Sequence, residues 1–302
     1  VRLASDIYRP ARAGIPLEQA YPVLLQRTPY NKTREDLVLE ALFFTSRGYV
    51  TVLQDCRARY ESEGGFTKYT EEGEDGFDTM AWLAEQPWHA GKVGTYGLSY
   101  SAHTQAATAS LNPPNLGCMW LDSGGFSNAF LNACRNGGAF ELRQLTWAYK
   151  EAMESRQAYD QPETIKKALE SQDIFDWFKR LPWKKGHSPL QWVPDYEDYL
   201  MDIWSRECFD EYWRQIGLCA EEYYDTFSDV PQVHMSGWYD PYSRTASDNY
   251  VALSALKKGP VTLLLGPWTH GQRAVTYAGD VDFGPTSAID GNLSVDFNHL
   301  RL

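Results

Sequence analysis

Along residues 1–127, short apolar runs alternate with longer stretches whose apolar positions recur at helical spacing. Residues 1–8 alternate like a strand, and 21–27 form a strand-length run that Pro29 brings to a stop. Residues 37–46 are spaced for a helix closed by Arg47-Gly48, and 49–53 form a β-branched run of strand length. A glycine-bearing loop at 61–65 leads into a helix over 73–86, with Phe77, Met80, Ala81 and Leu83 on one face. A strand at 92–96, a small-residue helix at 101–111 and a buried strand at 117–121 follow. Strands separated by helices predict an α/β fold built on a mostly parallel sheet with covered faces.

The pattern changes between residues 128 and 228, where long amphipathic stretches replace the alternation and no strand stands out. Six of the eleven tryptophans lie in this stretch (Trp147, Trp177, Trp183, Trp192, Trp204 and Trp213). Aromatics at that density form a core, or the apolar walls of a pocket above a sheet edge. The sheet pattern returns with strand-like 232–238, a helix over 243–256 and a strand at 261–265. The organisation expected is one α/β domain in two segments, 1–127 and 229–302, interrupted by a helical cap insertion at 128–228.

With 43% hydrophobic residues and a net charge of −12, the chain has ample core material and would repel a phosphate backbone. No apolar run is long enough to span a bilayer. Neither nucleic acid nor membrane is therefore an expected partner. Five cysteines without a CxxC pair exclude zinc-ribbon and thioredoxin readings. They read as buried free thiols, which suits a reducing compartment and a cytoplasmic location. The chain opens on Val1 rather than Met, and we expect it to be part of a longer protein.

The strongest chemical signal is Gly97-Leu98-Ser99-Tyr100-Ser101, directly after one predicted strand and directly before a helix. This is the strand–turn–helix setting of the nucleophile elbow in an α/β-hydrolase fold. A serine needs a base to remove its proton, and in this fold the acid and then the histidine follow it in the chain. Of the four histidines that follow it with enough chain between, His187 falls in a loop of the insertion, His234 inside a strand, and His299 near the chain end. His270 follows the 261–265 run through Gly266-Pro267-Trp268-Thr269, at the carboxyl end of a strand where such sheets collect ligands. Asp240 holds the matching position after 232–238 and is favoured as the acid. Asp122, ending the 117–121 strand, is the rival, and Asp248 falls too far along a helix. One oxyanion donor is expected from the Tyr100 backbone N–H, and a second from the Tyr30 phenol in Arg27-Thr28-Pro29-Tyr30-Asn31.

These residues carry a family resemblance. The stretch from Pro87-Trp88 through Gly91-Lys92-Val93-Gly94-Thr95-Tyr96-Gly97-Leu98-Ser99-Tyr100 resembles the nucleophile region of the CocE/NonD hydrolases, which are related to the Xaa-Pro dipeptidyl-peptidases. Arg27-Thr28-Pro29-Tyr30 looks like that family's oxyanion-tyrosine segment. Gln54-Asp55-Cys56-Arg57-Ala58-Arg59 is similar to its QDxRGR stretch, with Ala58 where glycine is usual. Gly237-Trp238-Tyr239-Asp240 resembles the acid segment and Gly266-Pro267-Trp268-Thr269-His270-Gly271 the histidine segment. The resemblance implies a Ser99–Asp240–His270 triad, with Tyr30 and the Tyr100 amide as oxyanion donors. It also implies a C-terminal β jelly-roll domain beyond Leu302. Two residues depart from the pattern: Ser101, where the α-amino-acid ester hydrolases of the family place glutamate, and Ala102, where glycine is usual.

The expected function is thus a serine hydrolase of acyl esters, acting on a small-molecule ester, amide or peptide. No cofactor or metal is expected, because no G-x-G-x-x-G, P-loop or zinc-ligand spacing occurs. An Xaa-Pro peptidase, and a hydrolase-fold binding module with a dead site, are the alternatives. A homo-oligomer is left open.

Overall fold

The computed structural model describes residues 1–290 and 297–302. Seven strands form the main sheet: β1 (Ser5–Tyr8), β2 (Tyr21–Thr28), β3 (Val50–Asp55), β4 (His89–Leu98), β5 (Leu116–Asp122), β6 (Gln232–Gly237) and β7 (Val261–Gly266). Their order across the sheet is β1-β3-β2-β4-β5-β6-β7. Only β1 runs antiparallel to its neighbour; all the other pairs are parallel. The carboxyl ends of β2 to β7 therefore share one edge.

Helices cover the sheet as its alternating residues demand. On one face Val23, Leu25, Val50, Val52 and Val93 pack with Met80 and Leu83 of α2 (Glu72–Ala84) and with Ala102, Ala106 and Ala109 of α3 (Tyr100–Ser110). Leu53, one residue out of step with Val52, points the other way, against Leu37 and Ala41 of α1 (Glu35–Thr45). Every residue of α3 is buried, and its run of small side chains is what lets it lie so close to the strands.

Between β5 and β6 the chain is mainly helical, including α4 (Leu142–Met153) and α5 (Pro194–Ser205). Its aromatics form a second core in which Trp183, Tyr196 and Trp213 are buried, and that core runs on into Tyr69, Tyr100 and Phe126 beside the sheet edge. Two elements depart from expectation. Arg135–Asn136 pairs antiparallel with Ala139–Phe140, where no strand was expected. The left-handed Gly137 and Gly138 make this tight turn, and strands of two residues leave no periodicity to read. Of the five thiols expected to be buried, Cys118 and Cys208 are exposed. The first sits on an outward position of β5 and the second in a loop of the helical insertion. Among the described residues no helix is long and apolar enough to cross a membrane.

His234 lies within β6, fully buried, with Nε2 beside Gln232 Oε1 at 3.0 Å. Burial pushes its imidazole down to about 4. The unfolded chain therefore takes up this proton first, and the contribution of His234 to stability falls as pH drops from about 6.5 towards about 4. Between pH 7 and pH 5 this single group should cost about 2 kcal/mol. Urea unfolding of wild type and His234→Gln at both pH values should show that gap opening; a constant difference would mean that the imidazole is charged in the fold.

Candidate active site

Ser99 sits between the end of β4 and the first residue of α3, with φ 62° and ψ −117°. A non-glycine residue holds such a conformation only when its surroundings impose it. Here the Ser99 N–H donates to Asp122 O on β5 at 2.8 Å, while the Ser99 carbonyl accepts from Ala102 N at 2.9 Å. Room for the reversal comes from glycine. A Cβ on Gly97 would lie 2.4 Å from that of Ser101, and one on Gly124 would lie 2.4 Å from the Ser99 carbonyl oxygen and 2.9 Å from the Ala102 methyl. The methyl that Ala102 adds at the elbow is thus accommodated by Gly124 opposite.

The loop after β7 brings His270 to the same edge, where it lines a cavity of about 670 Å³ together with Ser99 and Tyr30. His270 Nδ1 lies 2.8 Å from Asp240 Oδ2. An ionised carboxylate only accepts, so this contact places the proton on Nδ1 and leaves Nε2 free to accept. Asp240 is itself held by the Tyr242 N–H at 2.7 Å, and its side chain is fully buried. Asp122 is engaged elsewhere: Arg273 and the Ser123 hydroxyl bind its two oxygens. Of the two aspartates weighed from the sequence, His270 meets Asp240. His187 is exposed, His234 lies in the core, and His299 packs edge-on against Phe43.

Tyr30 follows β2 directly. Its hydroxyl accepts the Trp147 indole N–H at 3.2 Å and is within hydrogen-bonding reach of Ser99. Since Trp147 supplies a proton to the phenol oxygen, the phenol's own hydrogen remains available to donate. Burial, with Glu151 nearby, raises the Tyr30 pKa above its ordinary value and keeps it a protonated donor. The Tyr100 side chain turns away, and its hydroxyl accepts from Tyr69 N at 3.0 Å. Its backbone N–H, at the first position of α3, has no acceptor within the helix.

A model of the X-Pro dipeptidyl-peptidase (S15) family matches residues 1–272. The chain belongs to this family. It is 27% identical over 289 residues to the cocaine esterase of Rhodococcus sp. (strain MB1 Bresler), an alignment covering 89% of this chain and 47% of that one. Among solved structures it is similar to an aminopeptidase from the marine sediment archaeon Thaumarchaeota archaeon, with a TM-score of 0.69 at 24% identity, covering 93% of this chain and 49% of that one. A CocE/NonD family hydrolase from Staphylococcus aureus gives a TM-score of 0.62 at 18% identity, covering 87% and 43%. These structural likenesses show the fold, that of the α/β hydrolases. The chain spans about half the length of these relatives.

Several residues at this candidate site escape a reading by motif. A smaller cavity of about 290 Å³ adjoins Ser99, Tyr30 and His270 on the side of α4, and Lys68, Arg143 and Lys150 also line it. Lys68 is only 4% exposed. Its Nζ donates to Gln144 Oε1 at 2.8 Å and lies 3.7 Å over the Trp147 ring. Burial pushes its ammonium down to about 7. A lone lysine in the loop before α2 carries no sequence signal for this; only the packing of α4 onto that loop reveals it.

The acid and histidine loops interlock. The Trp238 N–H donates to Gly266 O at 2.7 Å and the Tyr239 N–H to Trp268 O at 3.1 Å. A Cβ on Gly237 would lie 2.0 Å from the Trp268 carbonyl oxygen, and one on Gly266 would meet the Trp268 ring at 2.4 Å. Gly237→Ala should therefore force the two loops apart, lowering stability by about 3 kcal/mol and loosening the Asp240–His270 contact. Thermal unfolding and serine-directed labelling would both register it. An unaltered melting temperature with full labelling would show that the loops yield without consequence.

Proposed function

We propose that the chain is the catalytic part of a serine hydrolase that cleaves acyl esters through Ser99, His270 and Asp240. The observation that carries this reading is the strained Ser99 turn sharing one cavity with a histidine whose Nδ1 is tied to a buried carboxylate. His270 Nε2 takes the proton as the Ser99 hydroxyl oxygen attacks the ester carbonyl. Negative charge on the carbonyl oxygen is met by the Tyr30 hydroxyl and the Tyr100 N–H. Collapse of the tetrahedral species expels the alkoxide, which leaves with the proton from His270. Water, deprotonated by the same imidazole, then cleaves the acyl-enzyme and restores Ser99. Asp240 holds the tautomer and stabilises the imidazolium.

Esters are favoured over Xaa-Pro peptides by the charges lining the site. A peptidase that removes dipeptides needs an anion to hold the substrate's free α-amine. Asp36, Glu40 and Asp122 along the larger cavity already bind Arg34, Arg301 and Arg273, and Asp290 lies 4.0 Å from Arg273. Among the described residues, those lining the smaller cavity include no carboxylate.

Labelling with a fluorophosphonate, followed by peptide mapping, tests the assignment. Stoichiometric modification of Ser99, abolished in Ser99→Ala and in His270→Ala, is the expected result. A folded chain that takes no label would overturn the nucleophile assignment. Tyr30→Phe keeps the ring and removes the donor, and should slow ester turnover by about 10²–10³. An unchanged rate would reduce Tyr30 to a packing residue of its loop.

A further inference from the structure

The two cavities that meet at Ser99 differ in charge. The larger carries carboxylates and arginines that neutralise one another, whereas the smaller is lined by Lys68, Arg143 and Lys150 with no carboxylate among the described residues. This concentration of positive charge lies in a chain whose net charge is −12. Lys68 is buried, and among the described residues no carboxylate lies within ion-pair distance of it; its contacts are Gln144 and aromatic faces. Glu151, the acid that influences it from α4, is held by Arg59 at 2.5 Å. Arg143 spends one nitrogen on Ala133 O at 2.9 Å, faces Glu141 only at 3.6 Å, and keeps Nη1 buried without a hydrogen-bond partner. Buried cations are normally paired, because desolvation penalises the charged form. A buried lysine with no carboxylate partner, beside a partly buried arginine that meets Glu141 at 3.6 Å and keeps Nη1 without a hydrogen-bond partner, leaves next to Ser99 a place for an anion that arrives with the substrate.

We propose that this smaller cavity is a carboxylate subsite, so that the preferred substrates are esters whose acyl group ends in a carboxylate. The inference rests on Ser99 as the nucleophile. At about 30 Å³ per water-sized group, 290 Å³ accommodates roughly ten heavy atoms, enough for a short dicarboxylic acyl chain. The acyl group is assigned to this side as part of the proposal, with the alcohol in the larger cavity that also reaches Ser99. Lys68 and Arg143 would bind the distal carboxylate, with the Trp147 and Tyr242 rings enclosing the methylenes.

The test compares p-nitrophenyl hemiglutarate with p-nitrophenyl valerate, of the same chain length and uncharged. Wild type should favour the hemiglutarate in kcat/KM by about ten-fold or more, the worth of one charge-assisted hydrogen bond. Lys68→Met should bring that ratio close to one. Arg143→Gln should reduce it independently, which covers the case in which the buried substitution at 68 impairs folding. Because both esters are measured on the same preparation, the ratio is insensitive to the folded fraction. A wild-type ratio at or below one, or a ratio that neither variant changes, would overturn the subsite. If wild type turns over neither ester, the hydrolase reading falls on its own, and calorimetric titration of the same two esters into Ser99→Ala decides the subsite. Tighter binding of the hemiglutarate, lost in Lys68→Met or Arg143→Gln, would uphold it; equal binding would refute it.

Discussion

The guanidinium of Arg59 joins the parts of this site that come from distant stretches of chain. Fully buried, it donates to the Pro29 carbonyl at 2.8 Å, to the Glu151 carbonyl at 2.9 Å, to the Glu151 carboxylate at 2.5 Å, and to the Tyr196 hydroxyl. Pro29 precedes the candidate oxyanion tyrosine, Glu151 lies on α4 and Tyr196 on α5. One side chain thus fixes the loop carrying Tyr30 against the helix carrying Trp147, and makes the contact between their side chains a consequence of packing. Removing one partner of such a buried pair leaves an uncompensated charge, a loss of about 3–5 kcal/mol. The planar, five-donor geometry of arginine allows this many acceptors to be served at once, and lysine has no equivalent.

Around Arg59 the rest of its segment works in the same way. Asp55 accepts the Lys32 N–H at 2.8 Å and so holds the far side of the Tyr30 loop. Gln54 accepts from Arg27 at 2.9 Å, and Arg27 in turn binds Glu72 of α2 at 2.8 Å. Ala58 adopts φ 59°, a left-handed conformation that glycine reaches without strain. The strain accepted there turns the chain so that Arg57 and Arg59 diverge, one to Asp75 of α2 and the other into the core beneath α4.

This division explains what was legible in the sequence. The alternation of strands and helices, the elbow around Ser99 and the positions of Asp240 and His270 at strand ends are local patterns, set by periodicity and by a few glycines. The choice of Asp240 over Asp122 as the neighbour of His270 is less local. Asp122 closes one parallel strand and Asp240 lies in the turn after another, and the Arg273 that engages Asp122 lies in a loop whose path depends on Trp268 filling the space left by Gly237 and Gly266. The Gln54–Arg59 segment reads as a family signature without a task, because its partners at Pro29, Glu151 and Tyr196 are brought to it only by the fold. Lys68 and Arg143 have no signature at all. Lys68 comes to line the smaller cavity only through the packing of α4 onto its loop, and a sequence does not show which side chains will be neighbours.

Trp147 shows how tightly the two sides of the site are coupled. Its indole N–H donates to the Tyr30 hydroxyl, its ring lies beneath the Lys68 ammonium, and the same ring stacks on Tyr100 with centroids 5.8 Å apart and planes 9° apart. A shift of this residue would change the aim of the candidate oxyanion donor and the position of the buried lysine together. The helix that carries it is in turn anchored by Arg59 through Glu151, four residues further along. Residues four apart lie on the same side of a helix, so the anchor and the active-site ring are presented by one face of α4. The contact between Trp147 and Tyr30 and the seat of Lys68 over the same indole therefore both depend on how this one helix is packed.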